Sequence, residues 1–582
     1  MQADPAETAK PPPFPRLLRV WLFIVASLSA AFVYALRIHF GNTESYFLLW
    51  QDLPMLFACL GLVGALAVLP LPGLGPLDRS LGAAPRAWAC GLAVLTLVIG
   101  AVGTPLVFGG YTFSLDEFLA NFDAQIFAHG RLMAPIPPEW RPFARALQPM
   151  FLIEAPDQSL WASGYLPINA AVRALGLRLG AEALINPAWS ALSVAMVYAV
   201  ARRLWPERPT AALAAAALLA TSAQLLVMSM TAYAMPAHLA LNLVWLERFL
   251  RGGKQGHGAA IITGFFACGL HQIIFHPLFA APFVLQLWLD RRWTLAAVYT
   301  AAYAAIGIFW VEYWPLDLHL SGVPDTAAGA FGAGRLAAEI MGLLRQLKIE
   351  SVGEIAEGMV RFVTWQNPLA VPLALLGGRT AFRTKGPMRA LAFGVVLTLA
   401  TMLVLEPTPV HGWGYRYLHG LLGSVCLLAV WNWTRLADSL PPRARQSARA
   451  GFALACAASL LLFAPVRAWQ AWRYVRPYAN ASATIRAAPA QIVVIDRDYA
   501  HWFDIGTLTR NDPFLRTSPK VMLLGAMDDA AVRRACAGYS ILVFDGRKAQ
   551  ALGMDLLTAS TFLEGSRQRA LMARLGCGRR IE

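Results

Sequence analysis

Charge is what this chain of 582 residues has least of: 14% of its residues are charged, against 57% that are hydrophobic. Soluble domains carry about 25% charged residues, so the composition excludes a soluble enzyme and a disordered chain. The seven cysteines include no two within four residues of each other, which excludes the close pairs of a zinc site. No G-x-x-x-x-G-K-[ST], G-x-G-x-x-G or H-E-x-x-H is present, so no phosphate-cradling nucleotide loop and no zinc protease helix is expected. An internal repeat is missing too, and repeats are the usual mark of a secondary transporter. The formal net charge of +15 would suit nucleic acid in a soluble protein. Here the basic residues fall in short loops between apolar runs, so no nucleic-acid partner is expected.

What the chain does have is long apolar runs. About 20 residues cross the ~30 Å hydrocarbon core, and spans are expected near 17–36, 53–71, 88–108, 188–204, 211–229, 233–250, 259–273, 277–289, 293–312, 358–378, 389–405, 417–434 and 450–467. That makes about thirteen transmembrane helices. The first run is expected to be a retained anchor, since no small-residue cleavage site follows it. His271, His276 and Pro277 mark a break within 259–289.

Loop charge sets the expected orientation. With a cytoplasmic N-terminus, the inner segments hold 21 Lys and Arg against 7 Asp and Glu, whereas the outer loop 109–187 holds five basic and seven acidic residues. Thirteen spans then place the C-terminal tail outside the cytoplasm. The expected organisation is two N-terminal spans in 1–87, a membrane core in 88–467 with outer loops 109–187 and 313–357, and a tail in 468–582. The tail alternates short apolar runs, Ile492–Ile495 and Ile541–Phe544, with a helical stretch at 528–537. This predicts a small α/β domain. Cys536 and Cys577 lie in that tail and are expected to form a disulfide in an oxidising compartment. Amphipathic helices are predicted after Ser114, after Pro167 and at 335–350, lying at the membrane surface.

Four groups of residues could carry chemistry. Asp116 and Glu117 follow the third span; a carboxylate there can accept a proton or hold a divalent cation. Ser114 to Glu117 also reads as a capping box, and neighbouring helical residues point ~100° apart. One acid is therefore expected to face a site and the other the cap. Asp123 is a further candidate on the face of Asp116. Glu154 and Asp157 precede an aromatic stretch with Tyr165 and Asn169, a composition that suits a sugar ring or, alternatively, an interfacial aromatic belt. His271, Gln272 and His276 meet at a turn inside an apolar hairpin, where polar groups are costly; a phosphate would suit them. Arg416, with His411, Tyr415, Tyr417 and His419 around it, begins a span on the side where basic residues are few, and its planar fork suits phosphate.

Taken in order, these pieces resemble a known layout. Leu115-Asp116-Glu117-Phe118 opens the outer loop, and Phe127 to Leu132 with Pro135 and Pro137 follows. Gly164-Tyr165-Leu166-Pro167, Asn186-Pro187, Ala220-Thr221-Ser222-Ala223-Gln224, Trp365-Gln366-Asn367-Pro368 and Gly414-Tyr415-Arg416-Tyr417 come after. Their order over roughly 88–435 resembles the GT-C class of polytopic glycosyltransferases, which includes protein O-mannosyltransferases and the aminoarabinose transferase of lipid A.

The resemblance implies a multi-pass protein of the bacterial inner membrane. It implies an inverting transfer of a sugar from a polyprenyl-phosphate donor to a hydroxyl acceptor (a glycan, a lipid or a protein) at the outer face. Asp116 would be the general base, with Glu117 beside it. Arg416, His271 and His276 would stabilise the departing phosphate. Relatives of this kind sometimes hold a divalent metal at the acidic pair, so a metal at Asp116 or Glu117 stays open. Two other classes also remain open: a secondary transporter or flippase of a lipid-linked or envelope glycan, and an assembly factor whose tail binds a partner.

Overall fold

The computed structural model describes residues 13–36, 47–147, 151–155, 157–322, 350–405, 412–496, 507–554 and 565–581. The protein is a helical, multi-pass membrane protein. Helix α1 (Phe14–Leu36) and α2 (Leu53–Val68) come first, and α2 continues a π-type turn at Phe47–Asp52. Helix α3 (Pro85–Phe108) stops at Gly109, whose φ of 60° is a left-handed cap that suits a residue without Cβ. Two amphipathic helices follow, α4 (Leu115–Ala128) and α5 (Ile168–Arg178). Between them, strands β1 (Ala134–Pro135), β2 (Leu152–Glu154) and β3 (Leu160–Ser163) form an antiparallel sheet in the order β1-β3-β2.

The bundle continues with α6 (Ile185–Leu204), α7 (Pro209–Ala220), α8 (Ala223–Ser229), α9 (Met235–Arg251), α10 (Gly253–Cys268), α11 (Phe275–Leu289) and α12 (Trp293–Val311). Then come α13 (Tyr313–Leu320), α14 (Glu350–Thr364), α15 (Ala370–Arg383), α16 (Pro387–Leu405) and α17 (Leu422–Asp438). Finally α18 (Pro442–Ala458) passes through a π-type turn at Ser459–Phe463 into α19 (Ala464–Arg486). The helix expected at 335–350 lies outside the described residues, save for Glu350.

Every expected apolar run carries helix, but not every run is one long span. Among the described residues six helices have the length and apolarity to cross a membrane, or seven if the pair α7 and α8, bent by 59°, counts as one. Several of the other runs are helices of 15–17 residues, as α9, α10, α11 and α17 (Leu422–Asp438) are. The stretch 358–378 is two helices, because Pro368 and a buried Gln366-Asn367 interrupt it, and 259–289 breaks after Cys268. At the other extreme, helix runs unbroken from Pro442 to Arg486, well past the span end expected at 467.

The tail carries a four-stranded sheet in the order β5-β4-β6-β7: β4 (Ile492–Ile495), β5 (Lys520–Leu523), β6 (Ile541–Phe544) and β7 (Arg579–Arg580), all paired in parallel. Helices α20 (Asp529–Gly538) and α21 (Ser566–Arg574) pack against each other. Cys536 and Cys577 are bonded, with Cα atoms 5.5 Å apart. One core joins this α/β unit to the α4 region: Leu119, Phe122 and Trp161 cluster with Ile492, Val494 and Met522. The Trp161 indole N–H donates to the Pro513 carbonyl at 2.7 Å.

The N-terminal helices are tied on by buried charge. Asp52 lies 2.9 Å from Arg467 of α19 and 3.5 Å from Arg361 of α14, and all three side chains are fully or almost fully buried. The Trp365 indole N–H donates to Asp52 at 3.1 Å, and the Trp21 indole N–H to the Pro368 carbonyl at 2.8 Å. Removing one partner of such a buried set leaves the others uncompensated, at a cost of about 3–5 kcal/mol. Asp52→Leu is therefore expected to lower the thermal unfolding temperature of the purified protein sharply. An unfolding temperature equal to that of the wild type would show that the cluster does not hold α2 to the bundle.

Candidate active site

The site begins with a helix start. Ser114 is the N-cap of α4: its Oγ accepts from the Glu117 backbone N–H at 3.2 Å, and a Glu117 carboxylate oxygen accepts from the Ser114 N–H at 3.0 Å. The other Glu117 oxygen accepts from the Ala232 N–H at 3.0 Å. Glu117 is thus the capping acid of a complete capping box, and it is fully occupied with backbone. This corrects its expected place beside the reacting groups.

Asp116, one residue earlier on the turn, points elsewhere. Its carboxylate pairs with Arg416 and accepts a 2.5 Å hydrogen bond from the Tyr165 hydroxyl. The His271 Nε2 lies 3.9 Å away. Backbone bonds set this meeting up. The Leu166 N–H donates to the His271 carbonyl at 3.1 Å and the Ile168 N–H to the Gly269 carbonyl at 2.9 Å. The break between α10 and α11 is thereby laid against the chain entering α5, and the Tyr165 and His271 rings meet edge to face with centroids 4.0 Å apart.

Arg416 is placed by an amide network. The Gln224 side-chain amide donates to the Tyr415 carbonyl at 2.9 Å, and the Gln366 amide donates to the Gln224 side-chain oxygen at 2.7 Å. Ser222 donates to Gln366 at 2.7 Å and Asn367 to Thr221 at 3.0 Å. Gly414, at φ 76°, lets the chain pass so close to Gln224 that a Cβ would run into it. Three stretches far apart in sequence, 220–224, 365–368 and 414–417, therefore converge behind one guanidinium.

Two small cavities adjoin the ion pair. One, of about 10 Å³, is lined by Asp116, Asp123, Ser163, Tyr165, Asn169 and His271. The other, also of about 10 Å³, is lined by His238, Asn242, Phe275, Arg416 and Tyr417 among others. The Tyr417 hydroxyl accepts from Arg416 at 3.0 Å, and its ring stacks on Phe275. Among the described residues, both ring nitrogens of His238, the Nε of Arg416 and the Nε2 of His419 are buried without a partner. Asn169 donates to the Ala232 carbonyl at 3.4 Å and leaves its own side-chain oxygen unpaired.

Electrostatics distinguishes the two acids of the first cavity. Burial disfavours the charge on Asp116, but Arg416, then His271 and the Tyr165 hydrogen bond, outweigh it and hold its carboxyl below the ordinary range. Asp123 accepts from the Ser163 N–H at 2.8 Å, yet burial pushes it up to about 7. His271 is brought down to about 4 by burial, with Asp116 opposing and Arg416 reinforcing, so its ring is neutral at pH 7.

Other candidates lie apart. His276 is buried in α11 with both ring nitrogens engaged, 2.7 Å from the Asn242 side-chain oxygen and 2.6 Å from the Tyr303 hydroxyl. Gln272 is solvent-exposed at the turn, and Asp157 is exposed with its carboxylate closing a turn onto Ser159. None of the three converges on Asp116. Glu154 sits on β2 opposite Trp161, with a side chain outside the described residues, and His411 lies outside the described residues altogether. Sequence reading passed over His238, Asn242 and Asp317. The last is a buried carboxylate of α13 without a hydrogen-bond partner among the described residues. The signal was available in His238 and Asn242, polar residues four apart inside an apolar helix.

A divalent cation does not fit the acidic pair. Glu117 is spent on three N–H and O–H donors and Asp116 on a guanidinium. No group of three His, Cys, Asp or Glu that could hold a metal occurs among the described residues.

No family model matches the chain, and no curated protein matches it. Solved structures do. The chain is similar to ArnT. The apo structure of ArnT from Cupriavidus metallidurans aligns with 74% of this chain and 85% of its own, at 12% identity and a TM-score of 0.47. ArnT from the same organism bound to undecaprenyl phosphate aligns with 77% and 88%, at 14% identity and a TM-score of 0.32. At these values the likeness to ArnT concerns the general course of the chain and says nothing about substrate.

The network behind Arg416 is testable by itself. Gln224→Leu strands the Tyr415 carbonyl and the Gln366 amide, and each buried unpaired group costs about 1–3 kcal/mol. Loss of stability in a thermal unfolding measurement is the expected outcome, with wild-type stability counting against the network.

Proposed function

We propose that the chain is an integral-membrane glycosyltransferase that moves a sugar from a polyprenyl-phosphate donor to a hydroxyl acceptor, with inversion. The observation that carries this reading is the part-buried Asp116–Arg416 pair, flanked by one cavity with carboxylates and a tyrosine and another with unpaired nitrogen donors. The ordered motifs that resemble the GT-C class supply the residues of this pair and of the network behind it. The proposed setting is a bacterial inner membrane, with a cytoplasmic N-terminus, a catalytic core over 88–467 and an extracytoplasmic tail over 468–582.

In this mechanism the acceptor oxygen forms a bond to the anomeric carbon while the bond from that carbon to the phosphate oxygen breaks. The electron pair leaves with the phosphate, and the hydroxyl proton goes to Asp116. Arg416 serves both events. In the free protein it holds Asp116 ionised; when a donor phosphate enters, its planar fork turns to the developing phosphate charge and leaves Asp116 free to accept the proton. His238 and the neutral His271 add N–H donors, and Tyr417 orients Arg416. The Asp116 carboxyl, held below the ordinary range, is a weak base, which suits a reaction where leaving-group departure runs ahead of proton transfer.

Asp116→Asn is expected to keep the fold and lose ~10²–10⁴ in turnover, measured as lipid phosphate released from a panel of polyprenyl-phosphate sugars. Near-wild-type transfer by this variant would rule Asp116 out as the base. The pH profile separates the two acids. A base that must be ionised works above its own pKa, so an Asp116-driven rate stays level as pH falls through neutrality. An Asp123-driven rate would instead fall as pH drops through about 7.

A further inference from the structure

A wider groove lies apart from the cavities at Asp116 and Arg416. It holds about 900 Å³ and lies on the opposite face of α4, bounded by the end of α3, by α19 and by the tail segment 510–521. The two faces of α4 are distinct. Asp116, Ala120 and Asp123 line the cavity described above, whereas Phe118, Asn121 and Gln125 line the groove. At about 100° per residue these stripes face away from each other, so a ligand in the groove is separated from the Asp116 carboxylate by the helix itself.

Three arginines line this groove: Arg476 and Arg486 from α19 and Arg510 from the tail. None of them forms an ion pair among the described residues. Arg510 is bound only to neutral groups. It donates to the Thr507 carbonyl at 2.5 Å, to the Thr112 hydroxyl at 2.8 Å and to the Phe113 carbonyl at 2.8 Å, and it lies over the Tyr111 ring at 4.2 Å. That uses three of its five N–H hydrogens. Arg476 rests on the Trp472 ring at 4.9 Å. The one acid in the lining, Asp512, is spent on the backbone of Phe514, Arg516 and Thr517. A guanidinium held in place by neutral partners, with two others beside it, is a site built for an anion.

The other end of the groove shows which anion. Pro105, Leu106 and Phe108 line it where the spanning helix α3 ends, and Trp472 joins them. Leu106 is 70% exposed and Trp469, one turn before Arg473, 52% exposed. Tryptophan and basic residues together mark the level where hydrocarbon meets headgroup. An inorganic anion would have no use for the apolar end, whereas a phosphate on an acyl chain fills both.

We propose that this groove is a second ligand site, which holds the phosphate headgroup of an anionic membrane lipid between Arg476, Arg486 and Arg510 while the acyl chain follows the end of α3. The inference does not depend on the reaction at Asp116. The test uses the full chain, purified in neutral detergent, and follows binding of a short-chain phosphatidic acid by native mass spectrometry. Matched phosphatidylcholine and inorganic phosphate serve as comparisons. Arg476 and Arg486 are exposed, so Arg476→Gln/Arg486→Gln is expected to fold, with a wild-type unfolding temperature as the control. At about fivefold per cation, this double variant is expected to bind phosphatidic acid about 25-fold more weakly. Arg416→Gln, which alters the other site, is expected to keep the groove's binding. Unchanged affinity in the double variant, or loss of all binding in Arg416→Gln, would overturn the proposal. Displacement by inorganic phosphate at equal concentration would also overturn it, showing a site for a free anion.

Discussion

A carboxylate at the start of α4 and a guanidinium 300 residues later meet half-buried, and the centre of the molecule is arranged around that contact. Neither charge can be buried alone; the isolated cost of each is several kcal/mol. Each is also fixed from behind. Tyr165 and His271 hold the Asp116 side, and a chain of amides from Ser222 through Gln366 and Gln224 to the Tyr415 carbonyl holds the Arg416 side. The cavities that flank the pair are consequences of this fixing, because side chains that are tied back leave room beside them.

Buried or half-buried charge is handled in three ways in this protein, and the differences indicate roles. Around Asp52 the charges close on one another and on indole, hydroxyl and carbonyl groups, in a set that joins α2 to α14 and α19. Such a set acts as a fastening. At Asp116 the pair is closed but borders two small cavities, and the proposed mechanism exchanges it for a ligand's charge. In the groove beyond α4, Arg510 is held by neutral groups alone and keeps two N–H hydrogens in reserve. On the proposed readings the same residue type serves packing, chemistry and capture, according to what stands opposite it.

Local chemistry was legible in the chain itself. Ser114 and Glu117 at cap spacing announced the start of α4, and the box is complete. Of the two acids there, one was expected at the cap and the other at a site; Glu117 is at the cap, and Asp116 turns to Arg416 and Tyr165. Reading failed where a residue's fate depended on a distant partner. His276 looked equivalent to His271, five residues away, but the start of α11 turns it toward Asn242 and Tyr303. Gln272 sits at the same turn and faces water. The apolar run 358–378 looked like one span, since hydropathy does not register that Gln366 and Asn367 break the helix to bond with Ser222 and Thr221.

By itself the sequence determined the medium and the elements. Its scarcity of charge and its apolar runs required a membrane protein made of helices, and the alternation in its tail pointed to a small α/β unit. These follow from short-range physics: hydrophobic length, backbone hydrogen bonding and cap spacing act within a few residues. Tertiary structure alone decided which charges face each other, which runs break and which face of α4 meets which cavity. Pairing energies depend on distance in space and on burial. Residues 116, 165, 271 and 416 acquire both only when the helices that carry them have packed.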